Sequence, residues 1–144
     1  MTKERLYIFD TTLRDGAQTQ GVHFSIDEKT KIAHALDSLG VDYIEGGWPG
    51  ANPSDTEFFQ KGLNLKNSVF TAFGMTKKTG RSAENDPGLS AILNSNTNSV
   101  CVVGKSWDFH VDVALGISNE ENLENIKETT KNFVKNNKEF MFDA

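Results

Sequence analysis

Apolar residues along the chain fall into short runs separated by stretches of helical periodicity. Leu6–Phe9 is the first run and reads as a strand that stops at Asp10. Between Ser25 and Leu39 the spacing changes: Ile32, Ala35, Leu36 and Leu39 recur at helical intervals. Ser25 and Glu28 make a capping box at its start and Gly40 supplies its stop. Val41–Glu45 reads as a second strand, and Pro53 opens a short helix carrying Phe58 and Phe59. Ser68–Phe73 is a third strand, Pro87–Leu93 a short helix and Ser99–Val103 a fourth strand. Ser118 and Glu121 form a second capping box, opening a long helix with Leu123, Ile126, Phe133 and Val134 on one face. Glu139–Phe142 begins a fifth strand.

Strand and helix therefore alternate, with strand starts roughly 30 residues apart, the size of a βα unit. Such units build a parallel α/β sheet with right-handed crossovers. Two architectures fit. A flavodoxin-like open sheet needs five strands and would be complete at this length, as a small binding module. A TIM (β/α)8 barrel needs eight strands and ~250 residues. The chain stops at Asp143-Ala144 directly after an apolar strand with no helix to cover it. The expectation is therefore a piece of a longer chain: residues 1–144 as the first four βα units and fifth strand of a barrel.

Composition narrows the function classes. Hydrophobic residues are 37% of the 144, charged residues 24%, and the net charge is −5, an ordinary globular profile. The mild acidity and the absence of a dense Lys/Arg stripe argue against a nucleic-acid partner. Four apolar residues near the N-terminus are too few for a signal core or a membrane span. Cys101 is the only cysteine, which excludes an internal disulfide and fits a reducing cytoplasm. Within a central apolar strand it reads as a buried, inert thiol.

In a parallel α/β fold the chemistry sits at the carboxyl ends of the strands. Those ends read Asp10-Thr11-Thr12-Leu13-Arg14-Asp15-Gly16-Ala17-Gln18, then Glu45-Gly46-Gly47-Trp48-Pro49-Gly50, Phe73-Gly74-Met75-Thr76, and Gly104-Lys105-Ser106-Trp107-Asp108-Phe109-His110. The opposite loops, 64–67 and 94–98, are plain Asn/Ser/Lys turns. In the first loop, Asp15 can offer oxygen to a hard divalent cation. The guanidinium of Arg14 has fixed charge and forked donors suited to a carboxylate or an enolate.

That first loop resembles the opening motif of the isopropylmalate, homocitrate and citramalate synthases, relatives of hydroxymethylglutaryl-CoA lyase. Tyr43-Ile44-Glu45-Gly46-Gly47-Trp48-Pro49 is similar to the second stretch of the same family, and Arg14, Asp15 and Glu45 match its Arg, Asp and Glu. Gly46–Pro53 and Gly104–His110 look most similar to the citramalate synthase branch. The resemblance implies a TIM barrel followed by further domains, and a homodimer. It implies Claisen condensation of acetyl-CoA with pyruvate to (R)-citramalate and CoA, in isoleucine biosynthesis; sibling enzymes use other 2-oxo acids. Mg²⁺ or Mn²⁺, or else Zn²⁺, would act as Lewis acid on the ketone, held by Asp15 and two His expected beyond residue 144. Arg14, Asp15, Glu45 and Gln18 would be catalytic, with Glu45 orienting Arg14 or a metal-bound water. Substrate contacts would come from Arg14, Phe73, Thr76, Lys105, Ser106 and His110. A piece lacking the His pair is expected to be inactive alone.

The remaining candidates read as follows. His34 is structural within the first helix, His23 can shape the site from its loop, and Trp48 and Trp107 are expected as pocket walls. The run from Thr76 to Asp86 is expected as a mobile loop, with Lys77, Lys78 and Arg81 as a secondary candidate for the CoA phosphates.

Overall fold

The computed structural model describes residues 4–144. Five strands, β1 (Phe9–Asp10), β2 (Tyr43–Gly47), β3 (Val69–Met75), β4 (Ser99–Val103) and β5 (Glu139–Asp143), form one sheet in the order β1-β2-β3-β4-β5. Every pairing is parallel. Each strand lies beside its sequence neighbour, which is how a barrel is laid down. A flavodoxin-like sheet would reverse direction at its first strand. The helices α1 (Ile26–Leu39), α2 (Pro53–Lys61), α3 (Pro87–Leu93), α4 (Asp108–His110) and α5 (Asn119–Lys135) connect them. These five strands are half of a barrel.

Side chains alternate across the sheet. Ile44, Phe70, Ala72, Val100 and Val102 join Ala33, Phe58, Phe59, Leu89, Ile92 and Phe133 of the helices in one core. Gly46, Gly74 and Gly104 face this layer. A Cβ at these positions would strike Phe70, Ile92 and Phe142, at 2.3, 2.2 and 2.6 Å respectively. The other face carries Tyr43, Glu45, Thr71, Phe73, Ser99, Cys101 and Glu139. It is tied by Thr71 donating to Ser99 at 3.1 Å and Tyr43 donating to Glu139 at 2.8 Å. Laid flat, β2 and β5 would stand about 14 Å apart. The Tyr43–Glu139 bond therefore requires the sheet to curl, with this polar face inside.

Local signals explain most elements. Both capping boxes form: Ser25 accepts from the backbone N–H of Glu28, and Ser118 from that of Glu121. Gly40 ends α1 in the left-handed region at φ 87°. Asn52 caps α2 and Asp86 caps α3, each with Pro in the first turn.

Three expectations need correction. The first strand is shorter than Leu6–Phe9: Leu6, Tyr7 and Ile8 are exposed, and pairing begins at Phe9. Leu123 and Val134 are also exposed. The buried face of α5 is instead Asn122, Asn125, Thr129, Asn132 and Phe133. That polar face holds the segment after β3, which is therefore a fastened loop. Lys77 N–H donates to Thr129 Oγ1 at 3.0 Å, and Asn125 donates to Thr79 Oγ1 at 2.6 Å. The loops at the opposite end are also built. Asp37 accepts from the backbone N–H groups of Lys66, Asn67 and Ser68, and these bonds hold its carboxyl down at about 2. Among the described residues, no helix is long and apolar enough to cross a membrane.

Candidate active site

Arg14 leaves β1 in a turn whose N–H groups at Arg14, Asp15 and Gly16 all donate to the Thr11 carbonyl. The turn swings the Arg14 side chain over the mouth of the inner face. Its Nε donates to Glu45 Oε2 at 2.7 Å and its Nη1 to Asp15 Oδ1 at 3.2 Å. The guanidinium carbon lies 4.0 Å from the centre of the Phe73 ring, a cation–π contact. Nη2 has no hydrogen-bond partner among the described residues. Arg14 is thus held on three sides and keeps one donor group for a ligand.

Glu45 is 1% exposed. Burial pushes its carboxyl up, the Arg14 hydrogen bond and charge oppose that, and the charges of Asp143 and Asp15 add to the rise. Asp143, at the end of β5, lies in register with Val103 and so on the same inner face as Cys101. Cys101 lies beside it. Burial, with the charges of Glu45 and Asp143, raises the thiol to about 11, so it stays protonated and inert near neutrality.

Asp15 is open, with 61% of its side chain exposed. A divalent cation needs several ligands. Among the described residues no group of three His, Cys, Asp or Glu converges to hold one. These residues alone do not make a metal site.

The other expected residues divide in two. Gln18 and His23 line a cleft of about 300 Å³ with Arg14, Trp48 and Asp55. Thr76 lines a neighbouring cavity of about 580 Å³ whose wall includes Trp48, Met75, Ile92 and Leu115, with Lys78 and Arg81 at it. Lys77 is committed elsewhere, paired with Glu128 at 2.8 Å and donating to the Arg81 carbonyl. Lys105, Ser106 and His110 line neither space. The Lys105 carbonyl accepts from Asn122, Ser106 is exposed, and the exposed His110 ring packs 4.6 Å from Trp107. Trp107 itself is exposed and walls neither space.

Sequence reading missed Lys29 and Asp55, a buried pair beneath the loop after β2. A signal was present. Lys29, Ala33 and Asp37 fall on one line of α1, so two charged residues lie on the helix's buried stripe.

Residues 5–144 match the HMGL-like family model. The chain belongs to the HMGL-like family. It is 48% identical over 143 residues to an (R)-citramalate synthase from Aquifex aeolicus, covering 98% of this chain and 27% of that protein. A 2-isopropylmalate synthase from Caldanaerobacter subterraneus is 35% identical, covering 91% of this chain and 32% of its own. The chain thus spans about a quarter of the length of the citramalate synthases it matches. Among solved structures, hydroxymethylglutaryl-CoA lyase from Pseudomonas aeruginosa superposes with a TM-score of 0.72 at 18% identity, over 96% of this chain and 45% of that one. An HMG-CoA lyase from Acinetobacter baumannii, in complex with coenzyme A and 3-methylmalate, superposes at 0.69 and 15% identity, over 95% and 44%. These likenesses show the fold: the HMGL-like chain supplies the first half of such a barrel.

Proposed function

We propose that this HMGL-like chain is the first half of the catalytic barrel of a citramalate synthase. The enzyme would condense acetyl-CoA with pyruvate to (R)-citramalate and release CoA. Identity of 42–48% to five citramalate synthases over 88–100% of this chain supports this acceptor over larger 2-oxo acids; two isopropylmalate synthases stand at 31–35% over 91% of it, and a third reaches 57% over 58 residues only.

The observation that carries the chemistry is the mounting of Arg14. Glu45 and Phe73 fix its plane, and Nη2 stays available. A 2-oxo acid brings a carboxylate, and attack on its ketone develops an alkoxide. A held guanidinium beside the reacting centre binds the first and stabilises the second without reorganising. Glu45 acts on Arg14, holding its orientation. Gln18 lines the same cleft, which supports a hydrogen bond from its amide to the substrate. The neighbouring cavity, apolar within and bearing Lys78 and Arg81, is suited to part of acetyl-CoA.

A divalent cation enters this reading through the family. Asp15 is the ligand offered here, and Mg²⁺, Mn²⁺ and Zn²⁺ all accept a carboxylate oxygen. A cytoplasmic homodimer belongs to the same proposal.

The test is turnover by the full-length protein, with thiol release from acetyl-CoA measured against a panel of 2-oxo acids and the product identified. Citramalate from pyruvate as the preferred reaction supports the assignment. Preference for 2-oxoisovalerate or 2-oxoglutarate moves it to a sibling synthase, and no thiol release with any 2-oxo acid removes it.

A further inference from the structure

Buried Lys29 and part-buried Asp55 form a charge pair that no step of the chemistry uses. They meet at 2.6 Å with side chains 5% and 14% exposed. Lys29 Nζ also donates to the Gly46 carbonyl at 3.0 Å, directly after Glu45. The second Asp55 oxygen accepts from the backbone N–H of Trp48 at 2.9 Å and from the Asn52 amide at 3.0 Å. Gly47 lies between these anchor points at φ +146°, and a Cβ there would stand 2.6 Å from Asp55 Cγ. The loop is threaded tightly against the carboxylate. Trp48 in turn sets its ring edge-on to Phe73, with centroids 5.4 Å apart. The same Phe73 ring carries Arg14.

Stability alone does not account for two charges at this depth. Replacing a buried ion pair by apolar side chains of similar volume is often neutral or stabilising. What this pair does supply is a fixed geometry for the backbone from Gly46 to Trp48. That backbone reaches Arg14 by two routes, through Glu45 and through Trp48 and Phe73.

We propose that the Lys29–Asp55 pair is a positioning element for the Arg14 guanidinium, acting through the Gly46–Trp48 loop and Phe73. Its value to the enzyme rests on Arg14 being the group that receives the 2-oxo acid. The positioning itself does not depend on that reading.

The experiment follows solvent exchange of the Arg14 Nε–H by NMR in the full-length protein labelled with ¹⁵N-arginine, the signal being identified by its loss in Arg14→Lys. The double variant Lys29→Met/Asp55→Leu removes both charges and strands neither. Exchange is expected to speed up about tenfold or more in it, and KM for the 2-oxo acid to rise. Trp48→Leu keeps the ion pair but takes the ring edge from Phe73, and it is expected to speed exchange likewise. If the double variant does not fold, Asp55→Asn, of equal size, takes its place. Exchange within about twofold of the parent protein in folded charge variants overturns the proposal, whatever Trp48→Leu does. Absence of condensing activity would remove the proposed function and leave the exchange measurement intact, so the two failures separate.

Discussion

Arg14 and Glu45 meet at 2.7 Å across the mouths of β1 and β2, the first with 17% of its side chain exposed and the second with 1%. A carboxylate this deep is costly unless paired, and the guanidinium is its only ion-pair partner among the described residues. Each side chain therefore holds the other in place, and the guanidinium is fixed by the fold itself.

Removing the buried partner should be expensive. Glu45→Ala leaves Arg14 with only the exposed Asp15 as charge partner and is expected to lower stability by about 3 kcal/mol. Urea denaturation checks this; an unchanged midpoint would show that the pair contributes no net stability.

Asp15 predicts the opposite pattern. Its side chain is largely exposed and its bond to Arg14 is a surface contact. Asp15→Ala should change stability by no more than about 0.5 kcal/mol while abolishing metal-dependent turnover in the full-length protein. Activity retained at saturating Mg²⁺ would remove Asp15 from the ligand set.

Asp37 sets an acid limit. Its folded carboxyl is held at about 2, below the ordinary 3.8, chiefly by the backbone N–H groups of Lys66 and Asn67. A group held lower in the folded chain stabilises the fold above its ordinary value. That contribution is lost as pH falls from near 4 toward 2. Asp37→Asn should flatten part of the fall in denaturation midpoint over this window. Parallel curves for the two proteins would contradict it.

The polar face of α5 makes a fourth prediction. Thr129 accepts from Lys77 N–H and donates to the Asn125 carbonyl. Thr129→Val keeps the shape but strands a buried N–H, at a cost of about 2 kcal/mol. Amide exchange at Lys77 and Thr79 should accelerate together with the lower stability. Unchanged exchange would mean that the loop is held by other contacts.

What could be read from the sequence was local. The capping boxes at Ser25 and Ser118 and the prolines of α2 and α3 act within one helical turn, and the Arg14-Asp15 loop is contiguous. The errors came where distant partners decide. Leu123 and Val134 carry the right residue types for a core face. Yet Asn122, Asn125 and Thr129 point inward, because the loops after β3 and β4 present backbone groups and the Thr79 hydroxyl that need partners. Lys29 finds Asp55 26 residues away: its place on the stripe of α1 marks it as buried, but nothing nearby in the chain names its partner. The site was legible as a list of strand ends. Its geometry, with Phe73 beneath Arg14 and Trp48 beside Phe73, depends on strand register.

The strand order also shapes how the chain is assembled. Each strand after the first pairs with the one made just before it, so a chain emerging from its N-terminus meets a finished edge at every step. Each new pairing closes a loop of only about 30 residues, a modest entropic cost. The Tyr43–Glu139 bond is different, because it spans 96 residues and must wait for the fifth strand. Every sheet pairing thus joins a strand to one that precedes it directly, while the Tyr43–Glu139 bond ties together strands that are not neighbours.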